Sequence, residues 1–343
     1  MPSSTHNDKN KAISTRGLVR EFADVRAVNG VDLDVYQGEV YGFLGPNGAG
    51  KTTVIRMLIT LLAPTSGEIT VAGHDAVQEP HEVRLRIGAA LQDAALDNKQ
   101  TGLELLRLQG KLYGLSGKQI DQRIGELSDL VDIGDAMNRL IGTYSGGMKR
   151  RLDLAAALIH NPEVLFLDEP TSGLDPISRA RIWQEVRDIN SELGVTIFLT
   201  TQYLEEADAL AHRVGIIDRG VLAAQGTPAD LKRARGSDLI VAKLDGEVEA
   251  AVEAVKSIES VAHVEAHGQE LTVSVANGAA LISTVALALN QRGIGVQELT
   301  LRTPTLDDVF LHVTGARLQE GASASMDVSG EVSDERPTPP VSC

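Results

Sequence analysis

The run Gly45-Pro46-Asn47-Gly48-Ala49-Gly50-Lys51-Thr52 fits the phosphate-binding pattern G-x-x-x-x-G-K-[ST] at every fixed position. Its glycines let the backbone curl until successive N–H groups point inward at an anion. Lys51 adds a cation for the outer phosphates, and the Thr52 hydroxyl can ligate Mg2+. A second candidate is Asp168-Glu169. Adjacent carboxylates can divide the work: Asp168 holds Mg2+, directly or through water, and Glu169 polarises an attacking water. Ser145-Gly146-Gly147 reads as a helix start, with Ser145 as N-cap and two glycines leaving that end open to an anion. Gln92 follows a short apolar run, where an amide can ligate Mg2+ or orient a water; by itself such a glutamine counts only through its spacing. Gln202 follows another such run. Phe22 offers an aromatic face, suited to packing at an edge or to stacking on a purine.

These groups need elements that bring them to one end of a sheet. Glu39 to Leu44 reads as a short buried strand before the glycine loop. The residues from Thr53 to Ile59 read as an apolar helix after it, ending near Leu62. Val164-Leu165-Phe166-Leu167 is a continuous apolar run, the mark of a central parallel strand. It ends in Asp168-Glu169, where open α/β sheets place their ligands. Pro170 to Asp175 forms a tight turn, Pro176 to about Leu193 a helix, and Val195 to Thr200 a strand running into Gln202. Ala12 to Leu44 is strand-like, and Ile87 to Leu91 is a short buried strand ending at Gln92. Between these strand-rich parts the periodicity turns helical. Leu103, Leu105, Leu106, Leu108 and Leu112 form one apolar stripe, and Ile124, Leu127, Leu130 and Val131 another. The fold class is therefore α/β, a P-loop core with a helical subdomain over about 93–142.

Taken in order, these motifs resemble the ATP-binding subunits of ABC transporters. The order is phosphate loop (Lys51), glutamine loop (Gln92), signature (Ser145 to Met148), Asp168-Glu169, the Gly173-Leu174-Asp175 loop and the switch position (Gln202). The resemblance covers roughly Thr15 to Lys232 and implies ATP and Mg2+ as cofactors. It implies that Phe22 stacks on adenine and that Gly45, Pro46, Asn47, Gly48, Ala49, Gly50, Lys51, Thr52 and Thr53 cradle the phosphates. Thr52, Gln92 and Asp168 are then the Mg2+ ligands, and Glu169 is the general base. The catalytic set is Glu169, Gln92, Gln202 and Lys51. Ser145, Gly146 and Gly147 would grip the γ-phosphate held by an opposite subunit, and Asp175 would couple the two sites. The stretch 93–142 would meet a membrane partner. Two motifs depart from the family's usual strings: Tyr144 and Met148 flank Ser-Gly-Gly in place of leucine and glutamine, and Gln202 replaces histidine. An amide can donate a hydrogen bond to the γ-phosphate but cannot become a cation. The form Thr200-Thr201-Gln202-Tyr203 is similar to that of daunorubicin-type drug-resistance exporters.

After Gln225 a second unit begins, expected over 237–316. Its order, β-α-β-β-α-β, is the ferredoxin-like α+β pattern, and it ends in Leu306-Asp307-Asp308-Val309-Phe310, resembling the terminal segment of the same exporters. It holds no clustered nucleophile, base or metal ligands, which suits regulation or assembly. Residues 1–11 read as a disordered leader and 317–343 as a disordered acidic tail. A net charge of −15 argues against nonspecific binding of nucleic acid or anionic lipid. There is no apolar run of spanning length, and Cys343 is the sole cysteine. The expectation is an ATPase that pairs with a second ATP-binding subunit at the cytoplasmic face of the membrane. It would power a separate permease exporting a hydrophobic drug-like or lipid-like compound, with no nucleic-acid partner and no lipid insertion. The alternatives are a non-transport ABC ATPase and a nucleotide-dependent regulator with weak turnover.

Overall fold

The computed structural model describes residues 10–91, 96–130, 134–245 and 248–315. The chain runs β1 (Lys11–Phe22), β2 (Val25–Tyr36), β3 (Val40–Leu44), α1 (Lys51–Leu58), β4 (Ser66–Val71), β5 (His74–Asp75), α2 (Pro80–Arg86) and β6 (Ile87–Ala90). It continues through α3 (Gly102–Leu112), α4 (Gly117–Leu130), α5 (Gly146–Leu158), β7 (Val164–Asp168), α6 (Pro176–Leu193), β8 (Thr196–Thr201) and α7 (Leu204–Leu210). It then passes through β9 (Arg213–Asp218), β10 (Val221–Gly226) and α8 (Pro228–Arg235).

A six-stranded sheet in the order β10-β9-β3-β8-β7-β6 lies at the centre, parallel except for its β9–β10 edge. Every residue of β3, β7 and β8 is buried, as expected of strands covered on both faces. The pleat sends alternate side chains to opposite layers. Leu165, Leu167, Ile197 and Leu199 point into a core shared with α3, α4, α5 and α6. Tyr41, Phe43, Phe166 and Phe198 point the other way, into a core shared with the antiparallel sheet β2-β1-β4-β5. There the Phe198 ring lies 5.5–5.8 Å from the rings of Tyr41, Phe43 and Phe166. One glycine permits the helical layer to approach: a Cβ on Gly88 in β6 would collide with the Ala157 carbonyl of α5.

The second unit is β11 (Asp238–Asp245), α9 (Val248–Lys256), β12 (Val261–His267), β13 (Glu270–Val275), α10 (Gly278–Gln291) and β14 (Gly295–Arg302). Its antiparallel sheet has the order β12-β13-β11-β14, and α9 and α10 cover one face. This is the ferredoxin-like arrangement. The final helix α11 (Leu306–Thr314) does not join that sheet's core. Leu306, Val309 and Phe310 pack instead with Leu44, Leu204, Ala207, Val214 and Ile216, against α7, β3 and β9. The stretch 237–316 is thus not one packing unit, because its last helix belongs to the ATP-binding core. Replacing Phe310, 1% exposed, with alanine is expected to cost about 3–5 kcal/mol in denaturant unfolding. A loss below about 1 kcal/mol would rule out α11 as part of that core.

Three further expectations need correction. Lys11 is the first residue of β1, paired with Tyr36, so it is not part of a leader. Most of 1–11, all of 317–343 and Val131 lie outside the described residues. Helix α1 stops at Leu58, not near Leu62, because Thr60 takes a left-handed φ of 65° and turns the chain. In α3 only Leu105 and Leu106 of the expected stripe are fully buried; Leu108 is exposed and Leu112 is 71% exposed.

Candidate active site

The parallel sheet delivers the C-terminal ends of β3, β7 and β8 to one place. Their registers pair Leu44 with Thr201 and Asp168 with Thr200. The glycine loop leaves β3 at Gly45 and ends at Gly50, which has a φ of 109° and caps α1. A Cβ on Gly50 would lie 2.6 Å from the Ala27 carbonyl, and one on Gly45 2.5 Å from that of Ile217. Neither position can carry a side chain without moving backbone. Helix α1 has no side-chain N-cap and no acid in its first turn, so its amide groups and its positive end remain available to an anion.

Lys51 is 4% exposed. Its ammonium donates to the carbonyls of Gly45 at 2.8 Å and Pro46 at 3.3 Å and stands 3.4 Å from the Glu169 carboxylate. Burial pushes its pKa down, and the Glu169 and Asp168 charges work against that shift. A buried cation held by two carbonyls and one carboxylate fits a phosphate ligand. Asp168 is 2% exposed and accepts a short hydrogen bond from the Thr200 hydroxyl. Glu169 adopts a left-handed φ of 48°. Its N–H donates to the Thr200 carbonyl and hydroxyl at 3.1 and 3.2 Å, and its carbonyl accepts from the Ser172 N–H.

Pro46, Asn47, Gly48, Gly50, Lys51, Thr52, Thr53, Glu169 and Gln202 line one cavity of about 540 Å3, together with Ala27 and Ser172. Gly45 and Ala49 form the loop's buried back. Asp168, buried at the end of β7, is not among the described residues that line the cavity. Gln92 lies outside the described residues. Ser145, Gly146, Gly147 and Asp175 are not among the described residues that line this cavity. Ser145 caps α5, its hydroxyl accepting from the Met148 N–H, and Ser145 and Gly146 are exposed. Asp175 caps α6, accepting from the Ile177 and Ser178 N–H groups at 3.0 Å each. Phe22, at the end of β1, is 43% exposed, with the Arg20 guanidinium 4.5 Å from its ring centre.

Sequence reasoning passed over two groups. Thr200 holds both Asp168 and the Glu169 backbone; its signal was its place opposite Asp168 once the strands are paired. Glu206 in α7 is fully buried and accepts from the Thr171 hydroxyl at 2.9 Å and the Trp183 indole at 3.0 Å. Burial raises its pKa, against the pull of the Thr201, Thr171 and Trp183 hydrogen bonds. It thereby ties the loop after β7 to the switch region.

The family model described as "ABC transporter" matches residues 28–172, and "ATP-binding protein DrrA1-3-like, C-terminal domain" matches residues 226–314. Among curated relatives, "Daunorubicin resistance ATP-binding protein DrrA3" of Streptomyces coeruleorubidus is 47% identical over 91% of this chain and 99% of the relative. The chain belongs to the ABC transporter ATP-binding proteins, in their daunorubicin-resistance branch. "Daunorubicin/doxorubicin resistance ATP-binding protein DrrA" of Streptomyces peucetius is 45% identical over 89% of this chain and 93% of its own. Among solved structures, "cbiO1 from clostridium perfringens: Part of the ABC transporter complex cbiONQ" has a TM-score of 0.61 at 26% identity, over 65% of this chain and 90% of that one. As an ABC ATPase, the chain binds ATP and couples its hydrolysis to transport, in the setting of drug resistance.

Proposed function

We propose that this ATPase completes its hydrolytic site only across a head-to-tail dimer with a second ATP-binding subunit. The dimer would drive a separate permease that exports a hydrophobic compound, anthracycline-like or lipid-like, from the cytoplasmic face of the membrane. One observation carries this reading: Lys51, Glu169 and Gln202 face a common cavity, whereas the signature residue Ser145 is exposed and is not among the described residues that line it.

Within the site, Lys51 and the loop amides hold the phosphates, and Gln202 donates an amide hydrogen bond to the γ-phosphate. Among the described residues no cluster of three or more His, Cys, Asp or Glu could hold a metal alone. That suits Mg2+, which is bound by few protein oxygens together with substrate phosphates. Thr52 and Asp168 would hold it, joined by Gln92, and the cation would neutralise charge on the transferring phosphoryl group. Glu169 takes the proton of the attacking water as its oxygen bonds to the γ-phosphorus and the bond to ADP breaks. Phe22 presents its ring to adenine, and Asp175 couples the two sites.

Among the described residues no helix is long and apolar enough to cross a membrane, which favours a separate permease. A cavity of about 240 Å3 lined in part by Leu61, Arg84, Leu91, Gln109 and Tyr113 lies between the helical layer and the core. Exposed Leu61, Leu85, Leu108 and Leu112 add apolar surface on the same α1–α2–α3 side. This side is the docking surface for the permease.

Ser145→Arg tests the dimer. The variant is expected to bind ATP at Lys51 with native affinity and to lose ATP-dependent dimerisation, read by light scattering after gel filtration. A variant that still dimerises with ATP refutes the shared site.

A further inference from the structure

We propose that Arg150 is a positioning residue for hydrolysis: its one guanidinium grips the end of β6 and the backbone on both sides of Glu169. Arg150 projects from the first turns of α5, the helix that the Ser145 signature opens. Its Nη1 donates to the Leu91 carbonyl at 2.7 Å, and its Nη2 to those of Ala90 at 3.4 Å and Asp168 at 3.3 Å. Its Nε donates to the Pro170 carbonyl at 3.1 Å. Only the remaining contact is with a charge, the Asp153 carboxylate at 3.2 Å, one turn along the same helix.

The four carbonyls are not a random set. Leu91 is the residue before Gln92. Asp168 and Pro170 flank Glu169 on both sides. Glu169 sits in the left-handed region, where a residue with a Cβ persists only if its surroundings over-determine it. Thr200 holds the Glu169 N–H, and Arg150 holds the carbonyls of the residues before and after it, Asp168 and Pro170. A planar fork of fixed donors suits this task; an ammonium, a point charge on a flexible stem, does not. Burying the cation disfavours its charged form, and the same burial raises the Asp153 pKa to about 6. Such a cost is retained where the geometry it enforces matters. Arg150 therefore ties the signature helix to the end of β6 and to the backbone on both sides of the hydrolytic carboxylate.

This inference rests on the reading of Glu169 as the base, so the test carries a separate control for it. Steady-state phosphate release and binding of a fluorescent ATP analogue are measured on the full chain for Arg150→Lys, Arg150→Gln and Glu169→Gln. Arg150→Lys is expected to lower kcat about tenfold and Arg150→Gln about a hundredfold, the scale of a misplaced reacting group. KM and ATP affinity should stay within about threefold, since the loop from Gly45 to Thr52 is untouched. Thermal unfolding checks that each variant is folded; if the glutamine variant is not, the lysine variant decides. Native kcat in a folded Arg150 variant, or kcat and ATP affinity falling together, overturns the positioning role. Native turnover in Glu169→Gln overturns the reading of the base instead, which keeps the two failures distinct.

Discussion

Lys51→Ala is expected to abolish ATP hydrolysis and weaken ATP binding by about tenfold to a hundredfold. The lysine supplies charge-assisted hydrogen bonds to phosphate, each worth about 1.5–3 kcal/mol. It is also the one cation lining the cavity among the described residues. Its removal leaves the Gly45 and Pro46 carbonyls and the Glu169 carboxylate, all electronegative, facing the place of an incoming polyanion. The loss at the transition state should exceed the loss in binding, by about a further 10²–10³ in kcat, because charge on the transferring group is met by a preorganised donor. Arginine should not rescue: a planar guanidinium fork does not reproduce the compact ammonium held by the Gly45 and Pro46 carbonyls. Phosphate release and equilibrium binding of a fluorescent ATP analogue read both effects. Hydrolysis at the native rate in Lys51→Ala would exclude this cavity as the nucleotide site.

Much of that cavity is legible in sequence for a local reason. The glycine loop is contiguous, and its backbone, not distant side chains, makes the cradle. Glu169 and Gln202 are equally readable, since each follows a continuous apolar run that must be a buried parallel strand, and parallel strands in one sheet present their C-terminal ends together. The pattern of alternating core faces in β3, β7 and β8 follows from the same runs.

What the sequence conceals depends on pairing across the fold. Arg150 stands in a basic run, Lys149-Arg150-Arg151, that in sequence looks like a solvated face. Only when α5 packs against β6, close enough to exclude a Cβ at Gly88, does its guanidinium reach carbonyls on two strands. Thr200 reads as an ordinary β-former until the register sets it opposite Asp168. In α11 the spacing of Leu306, Val309 and Phe310 announces an amphipathic helix but cannot say which core it serves. It serves α7 and β3, far back in the chain. Leu108 and Leu112 show the converse: leucines at plausible helical positions that the fold leaves in the open.

Glu169→Gln is expected to cut turnover by about 10²–10⁴ while ATP still binds, because the change removes a base and little else. The amide is nearly isosteric, and the left-handed backbone at this position is held through Thr200, Ser172 and the flanking carbonyls, none of which involves the side chain. Binding should hold or tighten, since a negative charge 3.4 Å from Lys51 no longer competes with phosphate for that ammonium. With hydrolysis stalled, the ATP-bound dimer should accumulate and elute as a stable species where the native chain turns over. Among the described residues lining the cavity, Glu169 is the sole carboxylate, and the Gln202 amide cannot accept a proton at neutral pH. Unchanged turnover in Glu169→Gln would therefore leave no carboxylate among the described residues lining this cavity to take the proton, and would overturn Glu169 as the base.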